Sequence, residues 1–549
     1  MANPAPGQYC CRYPLNSGPK SKAQSPQQSP LGTHAFQPYL AIMRFLSQHN
    51  SNGGIKRFFQ YLIVLVLVCI SSTAAGQYVF DFNPRCRQAY EAIVQLRLDA
   101  GQQMINHEKL RNPSNLVPYF LENYIDFFVL FFNEDPAEYK ARKNNFSRRL
   151  DLMNKGPESS PFHLFTRSVM NFQWAAVQIK FGNTWDAGWA FRRSYLQAKD
   201  NLNKFPAFSP SRLFHGTLQV SAGTVPDGYK WLSNLMGIRG SIDEGMKLIS
   251  SFLQQKDEYA KLFHEEGVFY YLYLKFYIEN DKDGVFDYIQ KQDIDIVNNH
   301  LLTFLAANLS INNQQSENAE RIIHGRNLSP GYLVTSAWDL ELGYSRIQHL
   351  ETDAAFYLER FIRDFNGRFY LKDALQKLSW HYYLQGNQQK AEEYRAMILK
   401  RGALDTEADK QAQKEAQSGK WPNKLLLQVR LLNDGGYHRE ALRLLHGKTI
   451  ADFSLPEEKL EFSYRVARLY DDLGNKEDAI LFYKEAIAKG EHRKEYFAAR
   501  AALHIGYIYE QKGDKQNAIN WFRRCISMKD HDFKDSLDQR AKAGIERSL

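Results

Sequence analysis

The sequence predicts an all-α protein, an α-solenoid of stacked antiparallel helix pairs that is degenerate in its N-terminal half. Three observations predict it. A set of glycine, small and aromatic positions around Gly474 recurs around Gly513, a period of 39 residues. The 549-residue chain is 44% hydrophobic and 14% aromatic, which allows a large core and excludes a disordered chain. Turn-forming residues are modest in number, and no segment requires a strand.

The recurring positions justify the helix pairs. Ala467 and Tyr470 precede Gly474, and Ala479, Tyr483 and Ala486 follow it. Around Gly513 the same offsets hold Gly506, Tyr509, Ala518, Phe522 and Cys525. A glycine in the left-handed conformation ends the first helix, small residues let two backbones approach, and aromatics fill the space toward the next pair. One such hairpin cannot bury its apolar face alone, so units stack. At these positions the sequence resembles the tetratricopeptide-repeat (TPR) consensus.

Weaker copies lie upstream. Gly386 has Tyr382 and Ala391 in place, with Arg395 in an aromatic slot; Gly436 keeps Ala441 between Leu432 and Leu445. Leu350 stands where a glycine is expected, with Gly343 and Ala355 at the small positions. The longer step from Gly386 to Gly436 requires an insertion, supplied by the polar stretch 405–420 as extra helix or loop. Further upstream, Gly182 has Ala175, Ala187, Phe191 and Ser194 at repeat offsets, and Gly240 has Ser233, Gly245 and Ile249. Between them, 204–227 carries Pro206, Pro210 and Pro226 and reads as loop-like. The apolar runs 119–132 and 268–278 read as buried helices; Glu122 and Asp126 interrupt the first.

The leader is distinct. Residues 1–42 are rich in Pro, Ser, Gln and Gly and read as a disordered extension. Lys56 and Arg57, the apolar run 58–70 and the small residues 71–76 form a secretory signal peptide, with an uncleaved signal anchor over 58–75 as the alternative. Met43 begins a leader of ordinary length, so translation is expected to start there. The domains are then 1–42, 43–76, a degenerate helical-repeat domain 77–330 and TPR repeats over 331–549.

Charge argues against nucleic acid. The net +9 includes six basic residues within 1–76, and without them 64 basic residues stand against 61 acidic ones. The best remaining basic run, Lys140, Arg142, Lys143, Arg148 and Arg149, reads as a solvated face. Cys10, Cys11 and Cys69 lie in the leader; Cys86 and Cys525, near opposite ends of the mature chain, make no disulfide framework. Zinc-peptidase, phosphate-loop, nucleophile-elbow and Cys-x-x-Cys patterns are missing. His264-Glu265-Glu266 reads as a solvated helix end, and Asp530-His531-Asp532 as an exposed loop. No catalytic residue, metal or cofactor is assigned.

Further stretches carry a family resemblance: 116–135, Gly223–Asp227, Tyr229-Lys230-Trp231, 237–242 and 372–387. Over most of 77–549 the chain resembles an uncharacterised family of exported TPR proteins of Bacteroidota-type bacteria. A narrower similarity, over 226–245 and the repeats, is to Iml2/TTC-type repeat proteins of eukaryotes. Neither resemblance implies an enzymatic role. The expected function is an exported scaffold that binds a protein or peptide partner in the periplasm or cell envelope. Its groove candidates are Arg465, Arg468 and Asp472 on one hairpin, and His504 and Glu510 on the next. The alternatives are a membrane-anchored assembly factor, touching the membrane only through 58–75, and an enzyme with a site between helix pairs.

Overall fold

The computed structural model of the protein describes residues 77–224 and 237–549. The expectations for the leader, and for Pro226, Asp227, Tyr229, Lys230, Trp231 and Ser233, lie outside the described residues.

Residues 77–549 form one compact unit. The described residues hold α-helices and no strand; Val79 and Asn115 make an isolated bridge. The N-terminal helices are α1 (Pro84–Val94), α2 (Leu98–Arg111), α3 (Val117–Asn133), α4 (Pro136–Met153), α5 (Pro161–Lys180), α6 (Thr184–Lys204), α7 (Pro210–Gly223), α8 (Ile242–Leu253) and α9 (Glu258–Leu262). The middle of the chain holds α10 (His264–Tyr277), α11 (Lys282–Lys291), α12 (His300–Asn312), α13 (Ser316–Gly325), α14 (Ala337–Gln348), α15 (Ala354–Asp364), α16 (Leu371–Leu384), α17 (Gln388–Ile398) and α18 (Glu407–Ser418). The C-terminal helices are α19 (Lys424–Gly435), α20 (His438–Leu444), α21 (Pro456–Asp472), α22 (Lys476–Gly490), α23 (Phe497–Gln511), α24 (Lys515–Ser527) and α25 (Lys534–Ser548).

The turns between paired helices share one chemistry. Gly474, Gly513, Gly386, Gly436 and Gly182 have φ of +85°, +74°, +77°, +93° and +79°. Past each glycine, the next amide donates back to a carbonyl five residues earlier: Asn475 to Tyr470 at 2.8 Å, Asp514 to Tyr509 at 2.9 Å and Asn387 to Tyr382 at 2.9 Å. Leu350 adopts φ +60° in the glycine slot, and Glu351 donates to Arg346 at 2.9 Å. One further unit escaped the sequence reading. Gln314 has φ +57°, Gln315 donates to Ser310 at 2.9 Å, and Ala307 and Ala319 are fully buried at the small positions. Those two alanines, twelve residues apart, were the available signal.

The small positions are sterically required. A Cβ on Gly506 would lie 2.5 Å from the Phe522 ring, and Ala467, Ala479, Ala486 and Ala518 are fully buried around Tyr483 and Phe522. Gly506→Val is expected to cost about 2 kcal/mol through overpacking. Urea denaturation checks it; an unchanged midpoint would mean that α23 and α24 separate freely.

The N-terminal half departs from a plain solenoid. Phe82, Tyr90, Phe120, Tyr124, Phe165 and Phe263 meet in one aromatic core, with ring centroids 4.7 Å apart for Tyr90 and Phe263 and 5.3 Å for Phe120 and Tyr124. The loop-like reading of 204–227 is corrected over Pro210–Gly223, because Pro210 opens helix α7 at a position where no amide is needed. Gly240 is not a turn glycine either. The left-handed residue is Gly237, and Gly240 lets two segments approach: a Cβ there would stand 2.2 Å from the Gln219 carbonyl oxygen. The stretch 405–420 contains α18, whose buried Asp409 accepts from the amides of Tyr370, Lys372 and Asp373 at 2.9, 3.0 and 3.1 Å, capping α16 from outside.

The carboxylates that interrupt the apolar helix α3 are answered by α2 and α4. Asp126 binds Arg142 at 2.5 Å and Arg149 at 2.6 Å, and Glu122 pairs with Lys109 and Arg149. The solvated-face reading therefore holds for Lys140, Lys143 and Arg148, which are exposed, and is corrected for Arg142 and Arg149, which turn inward. No helix among the described residues is long and apolar enough to cross a membrane.

Distant segments also close on each other. Glu134, at φ +48° after α3, is buried; it pairs with Lys180 at 2.7 Å and accepts from the amides of Arg368 and Phe369 at 2.8 and 3.1 Å. Gly367 makes the approach possible, since a Cβ there would lie 2.5 Å from the Glu134 Cβ. Gln314 in turn donates to the Asn433 carbonyl at 3.0 Å and to Asp472 at 2.9 Å.

Candidate protein-binding face

From α10 onward the first helices pack side by side, with α14 meeting both α16 and α19, whereas the second helices of neighbouring pairs scarcely meet. The first helices α10, α12, α14, α16, α19, α21 and α23 therefore form the tighter, inner layer. Polar contacts stitch this layer together. Tyr277 donates to Asn308 at 2.8 Å, Asn308 to Glu341 at 2.8 Å and Tyr344 to Asp373 at 2.7 Å. Asn433 donates to Asp472 and Arg468 to Asp434, each at 2.9 Å. His504 lies 3.6 Å from Asp471, and Arg547 of α25 binds Glu510 at 2.8 Å.

These contacts place the groove candidates. Arg468, Asp472, His504 and Glu510 lie on the inner layer, each bonded to a neighbouring helix. Arg465 is only 3% exposed; it binds Glu461 at 2.7 Å and lies over the rings of Tyr464 and Phe497. The electrostatics follow the pairing. Burial alone would raise the Asp434 carboxyl, but Arg468, Arg430 and Arg465 hold it down at about 2. Burial lowers the His504 imidazole, against the pull of Asp471. The inner layer thus carries dense charge, much of it compensated within the chain.

Residues 460–488 and 499–532 match the family model for the tetratricopeptide repeat. These two segments are similar to tetratricopeptide repeats. The two matched segments coincide with α21–α22 and α23–α24, the pairs turned by Gly474 and Gly513. No curated protein matches the chain. In these repeats Tyr470 and Tyr509 are half-buried, while Tyr483, Phe522 and Cys525 are fully buried.

The sequence reading missed a half-exposed aromatic group on the same inner layer. Tyr273, Tyr277 and Tyr370 are 43%, 40% and 43% exposed. Phe269 stacks on Tyr273, and the Tyr273 and Tyr277 rings lie 4.8 Å apart. Tyr370 is near enough for its hydroxyl to affect the ionisation of Tyr277, and the α18 cap holds it at φ +61°. Below them Glu341 is buried, and desolvation pushes its carboxyl up to about 7 against the Asn308 hydrogen bond. The run 268–278 was legible as a helix, but its outward tyrosines were not separable from core.

Two other readings are corrected. Glu266 is not at a solvated helix end. It is 5% exposed, and its carboxylate accepts from Tyr90 at 2.5 Å, Tyr124 at 3.0 Å and Tyr270 at 3.2 Å. Nor is Asp530–Asp532 a free loop, since His531 is buried and Asp532 pairs with Lys414. Cys86 and Cys525 are free and buried, and burial pushes both thiols up to about 12. Among the described residues no group of three His, Cys, Asp or Glu is arranged to hold a metal ion. An open cleft of about 750 Å³ lies between α11–α13 and the α19–α20 turn, lined by Phe286, Ile289, Ile322, Arg321 and Tyr437 among others.

Proposed function

We propose that the protein is an exported scaffold of the cell envelope that binds an extended segment of a partner protein along its inner helical layer. The half-exposed Tyr273, Tyr277 and Tyr370 carry this reading. Tyrosine offers large contact area at low entropic cost and is enriched where proteins meet. Tetratricopeptide repeats commonly mediate protein interactions, and their inner helices line the binding surface. The basic and apolar leader 56–76 supports export.

The full chain, used for affinity capture from native envelope, is expected to retain one stoichiometric partner. Tyr273→Ala with Tyr277→Ala abolishes that retention, whereas Leu481→Ala, at an exposed site on α22, leaves it intact. A partner held equally by the tyrosine variant, or no stoichiometric partner, sinks the reading. The mass of the mature N-terminus decides the leader. A start at Gly76 or Gln77 supports export with cleavage; a retained 58–75 run favours the membrane-anchored assembly factor instead.

A further inference from the structure

Eight carboxylates of the described residues are buried, and seven of them are compensated within the chain. Asp126, Glu134, Asp339 and Asp373 each pair with a basic side chain. Glu108, Glu266 and Asp409 each accept at least three hydrogen bonds. Glu341 is the exception. It is 4% exposed, pairs with no cation of the described residues, and accepts one hydrogen bond, at Oε1 from the Asn308 side chain, at 2.8 Å. Its Oε2 has no partner among the described residues and is not enclosed. A buried carboxylate is costly unless it is paired and hydrogen-bonded, so a cation brought to Oε2 supplies what the chain lacks.

The surroundings favour an organic cation. Glu341 is on α14, Asn308 on α12, and Tyr273 and Tyr277 on α10, three consecutive helices of the inner layer. The Asn308 side chain that donates to Glu341 also accepts from the Tyr277 hydroxyl at 2.8 Å, so a single amide joins the phenol to the carboxylate. The Tyr277 ring lies 4.8 Å from the Tyr273 ring and is tilted 52° to it, and both are half-exposed. Neither ring carries a cation of the chain: the nearby Lys275 and Lys282 lie over Tyr271 and Phe276 instead.

We propose that Oε2 of Glu341 and the rings of Tyr273 and Tyr277 receive an arginine side chain of the bound partner segment. The inference rests on the partner-binding reading and names the chemistry of what is bound. A guanidinium is planar and weakly hydrated, stacks on aromatic faces and keeps N–H groups free for a carboxylate. A lysine ammonium is strongly hydrated and loses more on reaching a buried acid.

Saturation-transfer NMR of N-acetyl-arginine amide with the full chain is expected to show weak, saturable binding. Glu341→Gln, which keeps the side-chain shape, weakens it by about tenfold or more, the scale of a lost charge-assisted hydrogen bond. Glu317→Gln, at an exposed site on α13, leaves it unchanged. Should the Glu341 variant fail to fold, Tyr273→Leu reads the rings, with a loss of about threefold. Absence of saturable binding, unchanged binding by the Glu341 variant, or equal binding of N-acetyl-lysine amide or the neutral N-acetyl-citrulline amide overturns the proposal. A partner captured without arginine binding sinks this inference alone; arginine binding with no partner captured sinks the scaffold reading instead.

Discussion

Glu266→Gln flattens the dependence of stability on pH between about 4.5 and 7. Desolvation raises the Glu266 carboxyl from 4.5 to about 7, and hydrogen bonds from Tyr90, Tyr124 and Tyr270 offset only part of that rise. Between those values the folded chain holds a proton that the unfolded chain has released. The stabilising contribution is complete below pH 4.5 and is lost as pH rises through 7. A shift of this size corresponds to about 3 kcal/mol. Glu341, also raised to about 7 by burial, titrates in the same window and leaves the variant a residual slope. Denaturant midpoints across this pH range decide the matter. Identical slopes for the variant and the natural chain would mean that Glu266 ionises in the fold as it does in water.

Glu134→Ala is expected to cost about 3 kcal/mol, because it strands a half-buried cation and two amides. Lys180, with a side chain 16% exposed, loses its carboxylate, and the amides of Arg368 and Phe369 lose their acceptor. Glu134→Gln keeps an acceptor for the amides but not the charge, so its cost falls between the two. Urea denaturation of the three proteins orders them. Equal midpoints for alanine and the natural residue would show that this contact contributes nothing to stability.

Much of the array was legible because its turns follow a local rule. The glycine, the small residues and the aromatic lie within twenty residues of one another, and each has one steric reason. The rule extended even to Leu350, whose φ of +60° fills a glycine slot. It failed at Gln314, where no glycine or aromatic marked the turn, and at Gly240, where glycine serves a backbone crossing. What stayed hidden depends on distant partners. Glu266 looks like an ordinary helix-start acid, and the hydroxyls that receive it come from Tyr90 and Tyr124, 176 and 142 residues away. Arg142 and Arg149 look like surface charge until Asp126 is placed opposite them. The groove candidates were chosen by helix face; their bonds to the next unit depend on how units stack, which a single hairpin does not specify.

The contact between Glu134 and the segment after Gly367 also changes how the chain carries load. In an open repeat array, tension applied at the two ends passes through every unit in turn. Here the path runs from Glu134 directly to Arg368, 234 positions further along the chain, and the segment between them lies in a shielded loop. At roughly 3.5 Å per residue, that loop stores on the order of 80 nm of hidden length. The protein is therefore closer to a clasped belt than to a spring: the length between Glu134 and Arg368 is released only once the clasp gives way and the helices between them unfold.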